Sequence, residues 1–488
     1  MEPPGQHIRL ETLIEHLAQN TRVIGARDVS ISSIAIDSRE VMPGALFIAM
    51  RGERSDGHRF IASAVTRGAV AVVAEEAIET HGVTTIVVPD SARAASQIAD
   101  VFYGSPSAAM HVAGVTGTNG KTTTTQMIAA MLREGGVVCG TIGTIGARLG
   151  AREWPLANTT PLAPQLHGLL AQMRSLGAHA VAMEVSSHAL ALERVGEVRF
   201  EVGALTNLTR DHLDFHGTFE AYAAAKRKLL DAARACVLNM DDETGERWAR
   251  ELRARKAVTT YAMHAGADIR PKSVEVRTGG STFTLNGTAF EVRLPGRFNV
   301  SNALCALAVA RAFGVADSAS ARGLASLQRV RGRMEHVRGE GVDAIVDYAH
   351  TPDALENVLR AARELTAQRV LLVFGCGGDR DRGKRPLMGA AASRLADYAY
   401  VTSDNPRTEA PEAIALEITQ GMTGARYAVE LDRRRAIFSA IAAAQPGDIV
   451  VVAGKGHENY QIAGADVLPF DDAQVVREAI ASRTAAGA

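Results

Sequence analysis

Along most of the chain, short apolar runs rich in β-branched residues alternate with stretches whose apolar positions recur at helical spacing. Runs at 70–74, 86–88, 179–185, 202–205, 344–347, 370–374 and 448–453 predict buried strands. The segments 91–103, 122–134, 163–176, 301–313 and 352–365 predict helices between them. Such alternation argues for an α/β fold with mostly parallel sheets. Two breaks interrupt it. Gly104-Ser105-Pro106-Ser107 is rich in turn formers and precedes a new strand, and the Arg-rich segment 329–334 precedes a fresh strand–helix series. They predict three domains, 1–106, 107–334 and 335–488, in keeping with 488 residues at roughly 150 per domain.

Composition narrows the class. Lys plus Arg is 53 against 54 for Asp plus Glu, a net charge of −1. No bulk attraction to nucleic acid or anionic membrane is expected. Hydrophobic residues at 47% and charged residues at 22% fit a globular protein with several cores. Cys139, Cys236, Cys305 and Cys376 are too far apart in sequence for a zinc knuckle or redox pair and read as buried thiols in a reducing compartment. The N-terminus lacks a basic start followed by an apolar run, and no apolar stretch is long enough to span a bilayer. The expectation is a cytoplasmic protein without membrane insertion.

The sharpest local signal is His111-Val112-Ala113-Gly114-Val115-Thr116-Gly117-Thr118-Asn119-Gly120-Lys121-Thr122-Thr123, an apolar run entering a Gly-rich turn and then a helix. Glycines let backbone N–H groups converge on phosphate oxygens, and the new helix aims its positive end at them. Lys121 suits the β- and γ-phosphates, and the Thr122 hydroxyl suits Mg²⁺. The strict phosphate-loop pattern has glycine where this chain has Val115, so the loop is a variant. It specifies a nucleoside triphosphate but not its use: kinase, ligase, GTPase switch and motor stay open.

Polar residues follow several predicted strands, where α/β sheets place active sites. Met183-Glu184-Val185-Ser186-Ser187-His188 ends one strand, and Asp211, His212, Asp214 and His216 crowd six positions further on. Glu184, His212 and Thr122 offer oxygen and nitrogen donors for divalent cations. Lys226, in the helical stretch 219–228, reads on physics alone as a solvated helix lysine. Three more clusters, at 375–381, 403–407 and 453–458, each follow a predicted strand. Arg380, Asp404, Arg407 and Glu458 give that rim both charge signs, which suits a zwitterion such as an amino acid.

These residues together resemble the Mur ligases, the ATP-dependent amino-acid ligases of peptidoglycan precursor synthesis. The resemblance rests on Gly117-Thr118-Asn119-Gly120-Lys121-Thr122, Glu184-Val185-Ser186-Ser187-His188, 207–212, Gly296-Arg297-Phe298-Asn299, Gly332-Arg333-Met334-Glu335 and Asp347-Tyr348-Ala349-His350-Thr351-Pro352. It spans nearly the whole chain in the family's order. The box Asp404-Asn405-Pro406-Arg407 is similar to that of members that add meso-diaminopimelate, in which arginine meets the extra carboxylate.

The resemblance implies an N-terminal UDP-sugar domain, a central ATPase domain and a C-terminal Rossmann-like domain for the amino acid. It places UDP-sugar contacts on Ile36, Ser38, Glu53, Arg54, Ser55, Asn158, Thr159, Thr160, Ser186, Leu192 and Arg194; Leu192 stands where some members have glutamine. It assigns ATP to Gly117, Thr118, Asn119, Gly120, Lys121, Thr122 and Thr123, with adenine at Asn299, ribose at Asp347 and a phosphate at Arg333. Diaminopimelate falls to Arg380, Asp404, Asn405, Pro406, Arg407, Gly454 and Glu458. Mg²⁺ falls to Thr122, Glu184, His212 and Lys226, the last carboxylated by CO₂ to N6-carboxylysine. Lys121, Lys226, His212, Glu184, Arg333 and His350 form the implied catalytic set, with His350 a candidate base. The implied partners are small molecules only, and the chain is expected to act as a monomer. Lysine-adding or D-alanyl-D-alanine-adding relatives, a folylpolyglutamate-type ligase and a nucleotide-dependent switch remain alternatives.

Overall fold

The computed structural model describes residues 7–52, 55–80, 82–264, 266–277, 279–339, 341–424 and 426–486. The chain divides into two compact units, each interrupted in sequence: Met1–Thr116, Val137–Gly203 and Ala224–Cys236 make the first, and Gly117–Gly136, Ala204–Ala223 and Val237–Ala488 the second.

The first unit holds a five-stranded sheet in the order Arg22–Ile24, Thr84–Val87, Ala69–Ala74, Ala45–Ile48, Ser33–Ala35. It is parallel except for the antiparallel edge strand Arg22–Ile24. Helix Ser91–Phe102 starts where the Asp90 side chain accepts from the Arg93 backbone N–H, and it buries Ala94, Ala95, Ile98 and Phe102 against the sheet core. The same unit contains strands His111–Thr116 and Ala180–Glu184, paired in parallel, with Cys139–Gly143 parallel on the other side of Ala180–Glu184. These central strands are buried along nearly their whole length, as the continuous apolar runs require.

In the second unit, helix Lys121–Glu134 packs on helices Arg297–Ala312 and Asp317–Ser326. A side chain at Gly323 would stand 2.5 Å from the Ala130 carbonyl, so glycine is what lets two of these helices approach. A six-stranded sheet follows in the order Glu335–Gly339, Val342–Asp347, Ile449–Ala453, Val370–Phe374, Tyr398–Val401, Tyr427–Val429. Five strands are parallel and Glu335–Gly339 is an antiparallel edge. Apolar clusters cover both faces, so the C-terminal strand ends share one rim.

The predicted strands and helices are present, with ends shifted by a few residues; the helix expected at 301–313 begins earlier, at Arg297, directly after Gly296 with φ 96°. The antiparallel trio Ser273–Arg277, Gly280–Leu285 and Thr288–Val292 went unread, although alternating apolar residues and the turn Asn286-Gly287, both at positive φ, announce a hairpin there. All four cysteines are buried and free, as expected. Among the described residues no helix is long and apolar enough to cross a membrane.

Candidate active site

The Gly-rich loop is built by its neighbours. At Gly117, with φ 146°, a Cβ would sit 1.9 Å from the Thr206 hydroxyl; at Gly120, with φ 86°, one would sit 2.4 Å from Asn302 Oδ1. Only glycine fits either place. The Asn119 N–H donates to Asn207 Oδ1 at 2.9 Å, and its carbonyl accepts from the Thr206 hydroxyl at 2.6 Å. The Thr118 hydroxyl donates to the Thr209 carbonyl at 3.0 Å, so Tyr222, 3.0 Å away, donates to it. Burial, then repulsion from Asp211, raises the Tyr222 pKa and keeps that donor protonated. Lys121 lies back over the loop, its ammonium on the carbonyls of Gly117 and Thr118, both at 2.8 Å. Thr122 and Thr123 are buried in the first helical turn.

Arg333 reaches this loop. Its guanidinium donates to the Thr122 hydroxyl at 3.0 Å and lies 4.7 Å above the Tyr348 ring, and its Nε is buried with no hydrogen-bond partner among the described residues. A half-buried cation with a spare buried donor suits an anionic ligand. Asn299 is buried with its amide committed: Nδ2 donates to the Pro295 carbonyl at 2.8 Å, and Oδ1 accepts from Asn302 at 3.0 Å. Asp347 accepts from the Met334 N–H at 2.8 Å; burial raises its pKa against the pull of Arg333.

His212 takes a left-handed backbone, φ 52°, and its Nε2 lies 3.3 Å from Asp211 Oδ2. Burial pushes the Asp211 pKa up, but the charges of His212, His350, Lys384 and Lys121 outweigh it and hold the carboxyl below its ordinary value. Burial, then Lys384, lowers the His350 pKa to about 4. Its Nδ1–H donates to the Tyr348 carbonyl at 2.8 Å, which leaves the lone pair on Nε2.

In the first unit, Glu184 is buried at the end of its strand. Its Oε1 accepts from the Thr144 N–H at 2.8 Å and its Oε2 from the Thr144 hydroxyl at 3.0 Å; a side chain at Gly143 would stand 2.2 Å from Oε1. Thr144 went unpredicted; no motif marks it. The expected UDP-sugar residues Thr159, Thr160, Ser186 and Arg194 gather around it. Thr159 lies 3.1 Å from the Thr144 hydroxyl, Thr160 donates to the Glu184 carbonyl at 2.8 Å and accepts from the Ser186 N–H at 3.1 Å, and Arg194 donates to the Thr160 carbonyl at 3.2 Å. Asn158 is exposed and Leu192 half-buried. Ile36 packs against the N-terminal core, Ser38 is buried, and Ser55 is exposed. Glu53 and Arg54 lie outside the described residues.

Lys226 is buried in helix Phe219–Ala232, contrary to its reading as a solvated lysine. Its spacing explains this: Tyr222, Leu229 and Leu230 share its face and are themselves buried. That spacing was a legible signal.

The three expected clusters meet at the rim of the six-stranded sheet. Lys455, fully buried, donates to Asn405 Oδ1 at 2.9 Å and lies 3.3 Å from Glu458 Oε2 and 3.6 Å from Asp404 Oδ1. Asn405 Nδ2 donates to Glu458 Oε2 at 2.8 Å. Burial and the nearby Asp404 raise the Glu458 pKa. Arg407, at φ 54°, donates to the Gly378 carbonyl at 2.8 Å; Pro406 is buried and Arg380 exposed. A side chain at Gly454 would meet Asp404 Oδ2 at 2.6 Å. Lys455 was not among the expected residues, and neither was Arg433, which forms a fully buried ion pair with Asp472 at 2.7 Å and donates to the Ala453 carbonyl at 3.0 Å. Arg433 lies in an ordinary-looking segment and Lys455 within the expected cluster 453–458, but only the fold reveals that they brace the rim.

Three family models match in sequence: the Mur ligase family catalytic domain over residues 30–103, the Mur ligase middle domain over 115–310 and the Mur ligase glutamate ligase domain over 332–456. The chain belongs to the Mur ligase family. Its architecture is that family's three-domain plan of mixed α/β domains with mostly parallel sheets. UDP-N-acetylmuramoyl-L-alanyl-D-glutamate--2,6-diaminopimelate ligase of Geobacillus thermodenitrificans is 44% identical over 492 residues, covering 98% of this chain and 100% of that one. A solved structure bearing the same enzyme name is 34% identical with a TM-score of 0.69, covering 98% and 100% of the two chains. The D-alanyl-D-alanyl ligase of Acinetobacter baumannii that follows in name, UDP-N-acetylmuramoylalanyl-D-glutamyl-2,6-diaminopimelate--D-alanyl-D-alanyl ligase, shares the fold at 19% identity, TM-score 0.66, covering 94% of this Mur ligase and 97% of that chain.

Proposed function

We propose that this Mur ligase joins meso-2,6-diaminopimelate to the D-Glu γ-carboxylate of UDP-N-acetylmuramoyl-L-Ala-D-Glu, consuming ATP, in peptidoglycan precursor synthesis. The observation that carries the specificity is the rim cluster. Asp404, Glu458 and buried Lys455 stand beside Arg407, so one pocket edge offers anions for an ammonium and a cation for a carboxylate.

A carboxylate is a poor electrophile, so it must be activated. The D-Glu γ-carboxylate attacks the γ-phosphorus of ATP, giving an acyl phosphate and ADP. The amine of diaminopimelate attacks the acyl carbon, and phosphate leaves from the tetrahedral intermediate. The chain supplies positioning and charge. Lys121 and Arg333 offset charge on the phosphoryl group, and Asn299 and Asp347 seat adenosine. Thr159, Thr160, Ser186 and Arg194 hold the sugar nucleotide, with Ile36, Ser38, Glu53, Arg54, Ser55, Asn158 and Leu192 completing its contacts. Arg380, Asn405, Pro406 and Gly454 complete those of diaminopimelate. His350 presents an unprotonated Nε2 for the ammonium proton.

Among the described residues no group of three or more His, Cys, Asp or Glu is arranged to hold a metal ion. Mg²⁺ takes few protein carboxylates and completes its shell with water and substrate phosphates. Thr122 and His212 in the second unit, and Glu184 and Lys226 as N6-carboxylysine in the first, are the residues that would offer it donors, and buried Glu184, fixed through both oxygens, is a donor of the right hardness. When bound, Mg²⁺ neutralises charge on the transferring phosphoryl group. The enzyme is read as a cytoplasmic monomer acting on small molecules. The test is product mass from parallel reactions with meso-diaminopimelate, L-lysine and D-alanyl-D-alanine. Product with diaminopimelate alone supports the reading; product with lysine overturns the specificity.

A further inference from the structure

The phosphate loop is also tied to the helix that opens the amino-acid-binding region, through a residue given no role above. Asp353 is the second residue of helix Pro352–Leu365, whose start is capped by Thr351, the hydroxyl accepting from the Ala354 N–H at 3.3 Å. One oxygen of Asp353, Oδ2, accepts from Asn119 Nδ2 at 2.8 Å, from the Thr209 hydroxyl at 3.3 Å and from Asn357 Nδ2 at 3.3 Å. Asn119 thus has its backbone held by Thr206 and Asn207 and its side chain by Asp353. Thr209 belongs to the segment that closes over the Thr118 hydroxyl. A single carboxylate therefore fastens both walls of the phosphate cradle. Its own helix is anchored by Leu355, Val358 and Leu359 in the core beneath the six-stranded sheet. The helix N-terminus and the bonds from Thr209 and Asn119 favour a carboxylate here, against the burial that raises the Asp353 pKa.

We infer that Asp353 is a positioning residue for nucleotide binding: it holds Asn119 and Thr209 so that the loop keeps its phosphate-binding shape while the helix Pro352–Leu365 is docked. The inference rests on the reading of residues 117–123 as an ATP cradle. Asp353 touches no reacting atom; it acts through the loop. The loss should fall on nucleotide affinity and spare the amino-acid rim, which is built on other strands' ends.

The test uses full-length protein and two variants. Asp353→Ala removes all three acceptor bonds; Asp353→Asn keeps one oxygen able to accept them. Melting temperature is read with and without Mg²⁺–ADP, and KM for ATP and diaminopimelate are read with kcat. For Asp353→Ala the expected result is a slightly lower melting temperature without nucleotide, a smaller ADP-induced rise and a KM for ATP about tenfold higher. KM for diaminopimelate stays the same, and Asp353→Asn restores most of the ATP affinity. If Asp353→Ala keeps wild-type ATP affinity, or if it raises both KM values alike, the inference is overturned. If the wild type itself gains no stability from ADP, the ATP-cradle reading fails first, and the inference with it.

Discussion

The Arg333 guanidinium donates to the Thr122 hydroxyl at 3.0 Å, so a residue assigned to phosphate and a residue assigned to magnesium hold each other in place. They are 211 positions apart in sequence. Arg333 enters from the segment before the six-stranded sheet, and Thr122 from the first turn of the phosphate-loop helix. Arg333→Ala is expected to lower kcat roughly a hundredfold at saturating ATP, the scale for losing one donor aimed at developing charge. Arg333→Lys should recover only part, because an ammonium cannot both reach Thr122 and stack on Tyr348 as the planar fork does. Steady-state kinetics of the two variants decide this; full recovery with lysine would mean that charge alone matters.

Glu184 depends on the absence of a side chain at Gly143. A methyl there would stand 2.2 Å from Glu184 Oε1 and push the carboxylate off its Thr144 bonds. Gly143→Ala should reduce kcat more than tenfold, with a raised Mg²⁺ requirement, because a 1 Å displacement of a positioned group costs about that much or more. Gly266→Ala, where a methyl meets nothing within 4 Å, is the control and should behave as wild type. A magnesium titration of both variants reads the difference.

At the amino-acid rim, Arg407→Ala should raise the diaminopimelate KM far more than the ATP KM. Lys455→Met should do the same and lower the melting temperature as well. It leaves Asp404 and Glu458 facing each other with their shared cation gone, and truncating one partner of a buried charge cluster costs about 3–5 kcal/mol. Equal effects on both substrates would argue against an amino-acid site at this rim.

His350 carries a pH signature. Its folded pKa is about 4, below the usual 6.5, because burial disfavours the charged ring. The unfolded chain therefore binds a proton at this position before the folded chain does, and the stability it contributes above pH 6.5 is lost as pH falls toward 4. The full contribution over that window is about 3 kcal/mol at 1.36 kcal/mol per unit. His350→Gln should make the acid limb of stability against pH shallower by about one proton between pH 6.5 and 4. Denaturant unfolding at several pH values measures the slope, and an unchanged slope would mean His350 titrates normally.

How far the sequence went depends on the kind of signal. Buried parallel strands announce themselves as unbroken apolar runs, so 370–374 and 448–453 were legible, and with them the rim where Asp404, Asn405 and Glu458 gather. Gly117 and Gly120 were legible because an apolar run entering a Gly-rich turn ahead of Lys-Thr and a helix marks a phosphate cradle, and both take positive φ. Thr144, Arg433, Lys455 and Asp353 were not. Each acts by reaching a residue distant in sequence, and spacing along the chain carries no trace of such a contact. Lys226 lies between these cases: its apolar helix face pointed to burial, while its side-chain type pointed to solvent, and packing won.

Coupled ligation is read by phosphate release together with product mass. Purified protein receives ATP, Mg²⁺ and UDP-N-acetylmuramoyl-L-Ala-D-Glu, with and without meso-diaminopimelate. One phosphate is expected per nucleotide-tripeptide formed, with little release when the amino acid is left out. Steady phosphate release with no gain in product mass would contradict coupled ligation and return the chain to the class of nucleotide-driven switches.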